Sequence, residues 1–163
     1  CSQTLDYAGD AAPTLKPSPF HLQELVSEAA AAYREPDESG NAIIVKNGID
    51  FSVDLEADRA QLYRVFSNLI SNAREAGATV LDVVASKNAG ELIIDLTDNG
   101  PGFSEKARTK LFEPFAGSAR EGGTGLGLVI VRDVLRAHGG DVELVDTGAG
   151  GSHFRISLPD RSG

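Results

Sequence analysis

Asn68 and Asn72, in the run Val65-Phe66-Ser67-Asn68-Leu69-Ile70-Ser71-Asn72, stand four residues apart. At that spacing two side chains are neighbours on one flank of a helix. Their amide oxygens are hard donors of the kind that Mg²⁺ takes. The same pair also suits the solvated margin of an amphipathic helix, and taken alone that plainer reading is the stronger. A second group is Asp98-Asn99-Gly100-Pro101-Gly102, directly after the strand-like run 91–97. Period-two alternation puts Asp98 on the face of Leu92, Ile94 and Leu96. If that face meets the core, the carboxylate stands at the margin of an apolar cavity. It then requires a donor partner, because an unpaired buried charge is costly. The amino group of adenine is such a donor. Gly100 and Gly102 would let backbone approach a flat ring closely. Asp-Asn-Gly is equally a tight-turn signature, so both readings stay open.

A third group, Gly122-Gly123-Thr124-Gly125-Leu126-Gly127-Leu128, opens a helix. Glycines entering a helix N-terminus offer free N–H groups and the positive end of the helix dipole, which suits a polyphosphate. No Lys-Ser or Lys-Thr pair follows the last glycine, so the P-loop pattern is not met. No strand precedes it, as the dinucleotide fingerprint requires. A fourth group, Leu111-Phe112-Glu113-Pro114-Phe115, sets two aromatics in a charged segment. They serve either a closing lid that meets a partner or a small satellite core.

These groups need elements to hold them. Pro19 opens a helical pattern through Phe20, Leu22, Leu25, Val26 and Ala29 that fades near Arg34, before Pro36. Segments 42–45 and 51–55 read as strands, with Asn47-Gly48 as the hairpin turn between them. The strongest helix is 57–76, with Leu62, Val65, Phe66, Leu69, Ile70, Ala73 and Ala76 in one stripe and Gly77 as its stop. Strands follow at 80–85 and 92–96, then a short helix at 105–111. A helix at 125–138, apolar almost all round, is stopped by Gly139-Gly140. Strands at 142–145 and 154–158 close the chain. Strands and helices mix without strict βαβ alternation. The expected fold class is therefore α+β, a two-layer sandwich of one mixed sheet with helices on one face.

With 163 residues, 41% apolar and 24% charged, the chain holds one sizeable core and is neither disordered nor a coiled coil. Lys and Arg number 15 against 24 Asp and Glu, a net charge of -9. That diffuse acidity argues against a nucleic-acid partner. Any bound phosphate must be held locally, by backbone N–H groups, a metal or a few cations. A single cysteine, Cys1, excludes an internal disulfide. No run approaches a membrane span, so direct membrane contact is not expected and a cytoplasmic setting is. Residues 1–18 read as a helix end and linker, 19–160 as the domain and 161–163 as a tail.

In order and spacing these groups resemble the N, G1, F and G2 boxes of the sensor histidine kinases, over about Asp58 to Pro159. The resemblance implies a Bergerat-type sandwich with an ATP lid, whose relatives include DNA gyrase and the ninety-kilodalton heat-shock chaperone. It implies ATP and Mg²⁺ as ligands. Asn72 would be the metal ligand, with Asn68 its helper near the phosphates, where it takes a catalytic part. Asp98 would read adenine, supported by Ser152 through a hydroxyl or water. Gly100, Gly102 and Phe115 would line the nucleotide site, and Gly123, Thr124, Gly125, Leu126 and Gly127 would wrap the phosphates. Phe112 and Phe115 would ride on the lid. Glu75 stands where relatives often carry a basic residue, and Ser118 and Ala119 where many carry a lid lysine. Arg120 is left as the phosphate cation.

The reaction implied is transfer of the ATP γ-phosphoryl group to a histidine on an upstream dimerisation domain, with a response regulator served indirectly. The isolated domain would be a monomer and its parent a homodimer, free or membrane-anchored. His21, His138 and His153 lack the acceptor's context and fit ordinary structural roles. A gyrase- or chaperone-like ATPase would need a Glu where Asn68 stands, since an amide cannot activate water as a base. A serine kinase of an anti-sigma system is a further reading, against which the Phe112–Phe115 box speaks, and the intact glycine boxes and Asp98 speak against a degenerate, non-catalytic docking domain.

Overall fold

The burial pattern of the strands follows from their sequence alternation. Leu92, Ile94, Leu96 and Asp98 point inward along one strand, and Ser152, Phe154, Ile156 and Leu158 along its neighbour. The computed structural model describes residues 15–104, 112, 127–148 and 150–159. Its elements are β1 (Ser18–His21), α1 (Leu22–Ala31), β2 (Ile44–Asn47), β3 (Asp54–Ala57), α2 (Arg59–Glu75), β4 (Val80–Asn88) and β5 (Glu91–Asp98). After these come α3 (Gly127–Ala137), β6 (Asp141–Gly148) and β7 (Gly151–Pro159). Five strands form one mixed sheet in the order β2-β4-β5-β7-β6, and β1 pairs with β3 in a separate two-stranded sheet. Only the β2–β4 pair is parallel among the sheet's neighbours.

The inward faces of the sheet and the apolar stripes of the three helices share one core. The opposite sheet face, with Val84 half exposed, carries polar residues such as Asp82 and Asp95. This is the two-layer α+β sandwich that the mixed pattern predicts. Helix α2 buries Leu62, Val65, Phe66, Leu69, Ile70 and Ala73 of the stripe read from the sequence, while Ala76 is its partly buried C-cap. Asp58 caps it by accepting the Gln61 N–H. Gly77, at φ +102°, closes its C-terminus by donating to the Arg74 carbonyl. Helix α3 is more one-sided than its composition implies: Leu128, Val131, Val134 and Leu135 are buried, while Asp133 and Arg136 face solvent.

Two sequence expectations fail. Pro19 does not open a helix. It lies in β1, opposite Glu56 of β3, and α1 begins at Leu22. Asn47-Gly48 does not turn a hairpin. Strand β2 runs parallel to β4, and β3 pairs with β1. The Asn47 side chain instead donates to the Gln23 carbonyl and the Ser27 hydroxyl, tying β2 to α1, while the Gly48 N–H donates to the Val83 carbonyl. A local turn signal is overridden here by a non-local parallel pairing. The expected helix at 105–111 lies outside the described residues.

Among the described residues, no helix is long and apolar enough to cross a membrane.

Candidate functional site

A narrow cleft opens between α2 and the ends of β5 and β7. Leu69, Asn72 and Ala73 line it from the helix, Leu81, Leu96, Asp98 and Phe154 from the sheet, and Phe103 from the loop after β5. Strand parity carries Asp98 inward, and it is 8% exposed. Its Oδ1 accepts the Gly100 N–H at 2.8 Å and the Ser152 N–H at 3.3 Å. Both bonds fall on one oxygen. Among the described residues Oδ2 takes no donor and keeps its acceptor capacity toward the cleft.

The loop after Asp98 is pressed against the β6–β7 end. Gly102 has φ +81°, and a Cβ there would sit 2.3 Å from the Gly148 carbonyl oxygen. The demand for glycine at 102 thus comes from the protein's own backbone, whatever a bound ring adds to it. Phe103 follows; its N–H donates to the Thr147 hydroxyl at 2.8 Å, and its ring meets Phe154 edge-on at 6.1 Å. Thr147 Oγ1 lies 3.0 Å from Ser152 Oγ, and Ser152 is 2% exposed.

Of the residues expected from the sequence, Asn72, Asp98, Gly100, Gly102 and Ser152 come together here. Asn68 is half-buried one turn earlier on the same helix flank. Gly127 begins α3. Phe115, Arg120, Gly123, Thr124, Gly125 and Leu126 lie outside the described residues. Arg74 is turned away, its Cζ 4.9 Å from the Tyr33 ring centre and its Nε 3.9 Å from Asp37 Oδ2. Glu75, exposed, accepts from Ser71. Phe112 packs partly buried against the core, with Arg132 Cζ 4.5 Å from its ring centre. Arg132 is held in turn by Asp141 at 3.2 Å.

Sequence reasoning missed Phe103 and Thr147. Phe103 could have been found as the first apolar residue after the glycines. Thr147 could not, because its partner lies 44 residues away.

A buried carboxylate lining an apolar cleft, glycines beside it and amides on the flanking helix sit together in an α/β sandwich. Residues 57–162 match the model of the histidine kinase-, DNA gyrase B-, and HSP90-like ATPases, and the chain belongs to that family. Within it the relatives are sensor kinases, and the chain corresponds to their ATP-binding catalytic domain. Sporulation kinase A of Bacillus subtilis is 31% identical over 146 residues, covering 87% of this chain and 24% of that protein. The sensor protein FixL of Bradyrhizobium diazoefficiens is 33% identical over 144 residues, covering 85% and 28%. Among solved structures, full-length ShkA in complex with AMPPNP is 27% identical with a TM-score of 0.79, covering 96% of this chain and 34% of that one. The nucleotide-free catalytic domain of the histidine kinase ThkA shares the fold at a TM-score of 0.70 and 22% identity, covering 89% and 96%. The chain spans less than a third of the length of either curated relative.

Proposed function

We propose that this domain binds Mg-ATP and supplies the phosphoryl-transfer half of a two-component sensor histidine kinase. The acceptor would be a histidine on a helical dimerisation domain of a homodimeric, cytoplasm-facing parent, and a response regulator would take the group onward. The observation that carries the reading is Asp98. An ionised carboxylate only accepts, so with Oδ1 already used, Oδ2 selects a base that presents a donor. The adenine amino group does so; guanine presents a carbonyl oxygen at the same place and is rejected.

The chemistry asks little covalent work of this chain. The acceptor nitrogen attacks the γ-phosphorus, the bond to the bridging oxygen breaks, and ADP leaves with that electron pair. The protein contributes positioning and charge neutralisation. Asn72 lines the cleft and Asn68 lies one turn away, so amide oxygens stand where a hard cation can be held. Mg²⁺, when bound there, would neutralise phosphate charge. Arg120 is the proposed cation on the phosphates. Gly123, Thr124, Gly125, Leu126 and Gly127 are proposed to wrap them, and Phe115 to flank the site. Asn68 is proposed as a positioning amide, since it has no basic group with which to activate water. That favours transfer over the hydrolysis of the gyrase-like relatives.

The test is a calorimetric titration with ATP, with and without Mg²⁺, followed by addition of a separate dimerisation-helix fragment bearing the acceptor. Mg²⁺-dependent binding and a phosphorylated fragment are expected. No ATP binding overturns the reading. Binding with rapid phosphate release and an unlabelled fragment overturns it in favour of an ATPase.

A further inference from the structure

The hydroxyls of Thr147 and Ser152 form a pair whose protons do not balance within it. Two O–H groups meet at one Oγ···Oγ contact of 3.0 Å, which uses one proton. Among the described residues, no other acceptor takes the second. Thr147 Oγ1 already accepts the Phe103 N–H at 2.8 Å, and a hydroxyl that accepts a hydrogen bond becomes a stronger donor. The contact itself admits either hydroxyl as donor, and the polarised arrangement runs from the Phe103 N–H to the Thr147 O–H to Ser152 Oγ. In that arrangement the proton left over belongs to Ser152, whose side chain is almost fully buried and whose own N–H is bonded to Asp98 Oδ1. The reverse direction would leave the spare proton on half-buried Thr147, with Ser152 as the donor to it.

On the reading that the cleft takes adenine, we infer that Thr147 is a specificity-determining positioning residue. By accepting from the loop and donating to Ser152, it fixes the Ser152 hydroxyl as a donor beside the Asp98 acceptor. Asp98 then receives the adenine amino proton, and Ser152 donates, directly or through one water, to the ring nitrogen next to the amino-bearing carbon. Acceptor and donor side by side match adenine's edge and mismatch guanine's. Thr147 also fixes Phe103, which lines the cleft, so one hydroxyl sets both a wall and a reader.

The test measures binding of ATP, 1-deaza-ATP and 7-deaza-ATP to the wild type, Thr147→Val and Thr147→Ser. Loss of a buried neutral hydrogen bond should weaken ATP binding about fivefold to tenfold in Thr147→Val, with Thr147→Ser close to wild type. In the wild type, 1-deaza-ATP should bind more weakly than ATP, because its ring lacks the acceptor, while 7-deaza-ATP keeps that acceptor and should bind as ATP does. The penalty should shrink toward unity in Thr147→Val. If Thr147→Val weakens ATP and both analogues equally, the residue only supports the loop and the inference falls. It also falls if Thr147→Val binds ATP as the wild type does. If the wild type binds no ATP at all, the proposed function fails first. A melting temperature in Thr147→Val close to that of the wild type keeps loss of folding apart from loss of the relay.

Discussion

A carboxylate and a carboxamide have the same shape but opposite manners toward a base. In Asp98→Asn the amide oxygen can keep the Gly100 and Ser152 N–H bonds now made by Oδ1, while the amide nitrogen replaces Oδ2 and turns a donor toward the cleft. Two donors then face each other across adenine's amino group. Hydrogen bonds to charged groups are worth about 1.5–3 kcal/mol, so ATP affinity should fall about tenfold to a hundredfold. The fold should be retained, and the preference for ATP over GTP should narrow. Titration with both nucleotides checks this; unchanged ATP affinity removes the adenine assignment. Asn72→Ala removes an amide oxygen from the same cleft and should abolish the Mg²⁺-dependent increment of ATP binding. A response to Mg²⁺ equal to wild type would refute the metal role. Both residues are legible in the sequence, because strand parity and helical spacing are local rules. Thr147 is not, because nothing local marks a hydroxyl that meets a loop from a distant hairpin.

At the scale of elements, His138 joins two helices. It is 7% exposed, and its Nδ1 lies 2.9 Å from the Val134 carbonyl. A carbonyl can only accept, so Nδ1 carries the proton and Nε2 is bare. Nε2 accepts the N–H of Asp58, the cap of α2, at 3.1 Å. The end of α3 is thereby tied to the start of the helix that carries Asn68 and Asn72. His138→Ala leaves the Asp58 N–H without its partner and opens a void, and should cost about 2 kcal/mol or more. Urea unfolding measures it; a loss below about 0.5 kcal/mol would show that the tie is dispensable. Local pattern puts His138 at a helix end in a structural role, but its partner, 80 residues away, lies beyond any local rule. The same limit explains Pro19 and Asn47-Gly48. Strands β1 and β2 have four residues each, too few for alternation to register, and each is fixed by a partner that the local pattern does not name. The long stripe of α2 and the alternation of β5 and β7 are readable because their signals repeat.

On the scale of the whole molecule, the two faces of the sheet respond differently to acid. The inner face is sealed by helices, while the outer face carries Asp95, flanked on β7 by His153 and Arg155. Asp95 Oδ1 lies 2.7 Å from His153 Nε2 and 2.8 Å from Arg155 Nε. Burial alone would raise the Asp95 carboxyl, but the hydrogen bonds from His153 and Arg155 and the nearby positive charge outweigh it and hold the group below its ordinary value. A carboxyl lowered on folding stabilises the native state above its unfolded value, about 3.9, and that contribution is lost as pH falls through the lower folded value. The net charge of -9 complicates the raw acid limb, since protonation also relieves repulsion across the surface. Comparison with Asp95→Asn cancels most of that global term, because all other charges are shared. The variant should be less stable than wild type at about pH 5, where the wild-type carboxylate is ionised. The gap should close as pH falls below about 4, where the wild-type carboxylate also takes up its proton. Paired urea unfolding curves across this range decide it. A gap that persists unchanged at the acid end would mean that Asp95 acts through shape rather than charge, and that the outer face holds no electrostatic contribution to folding at this position.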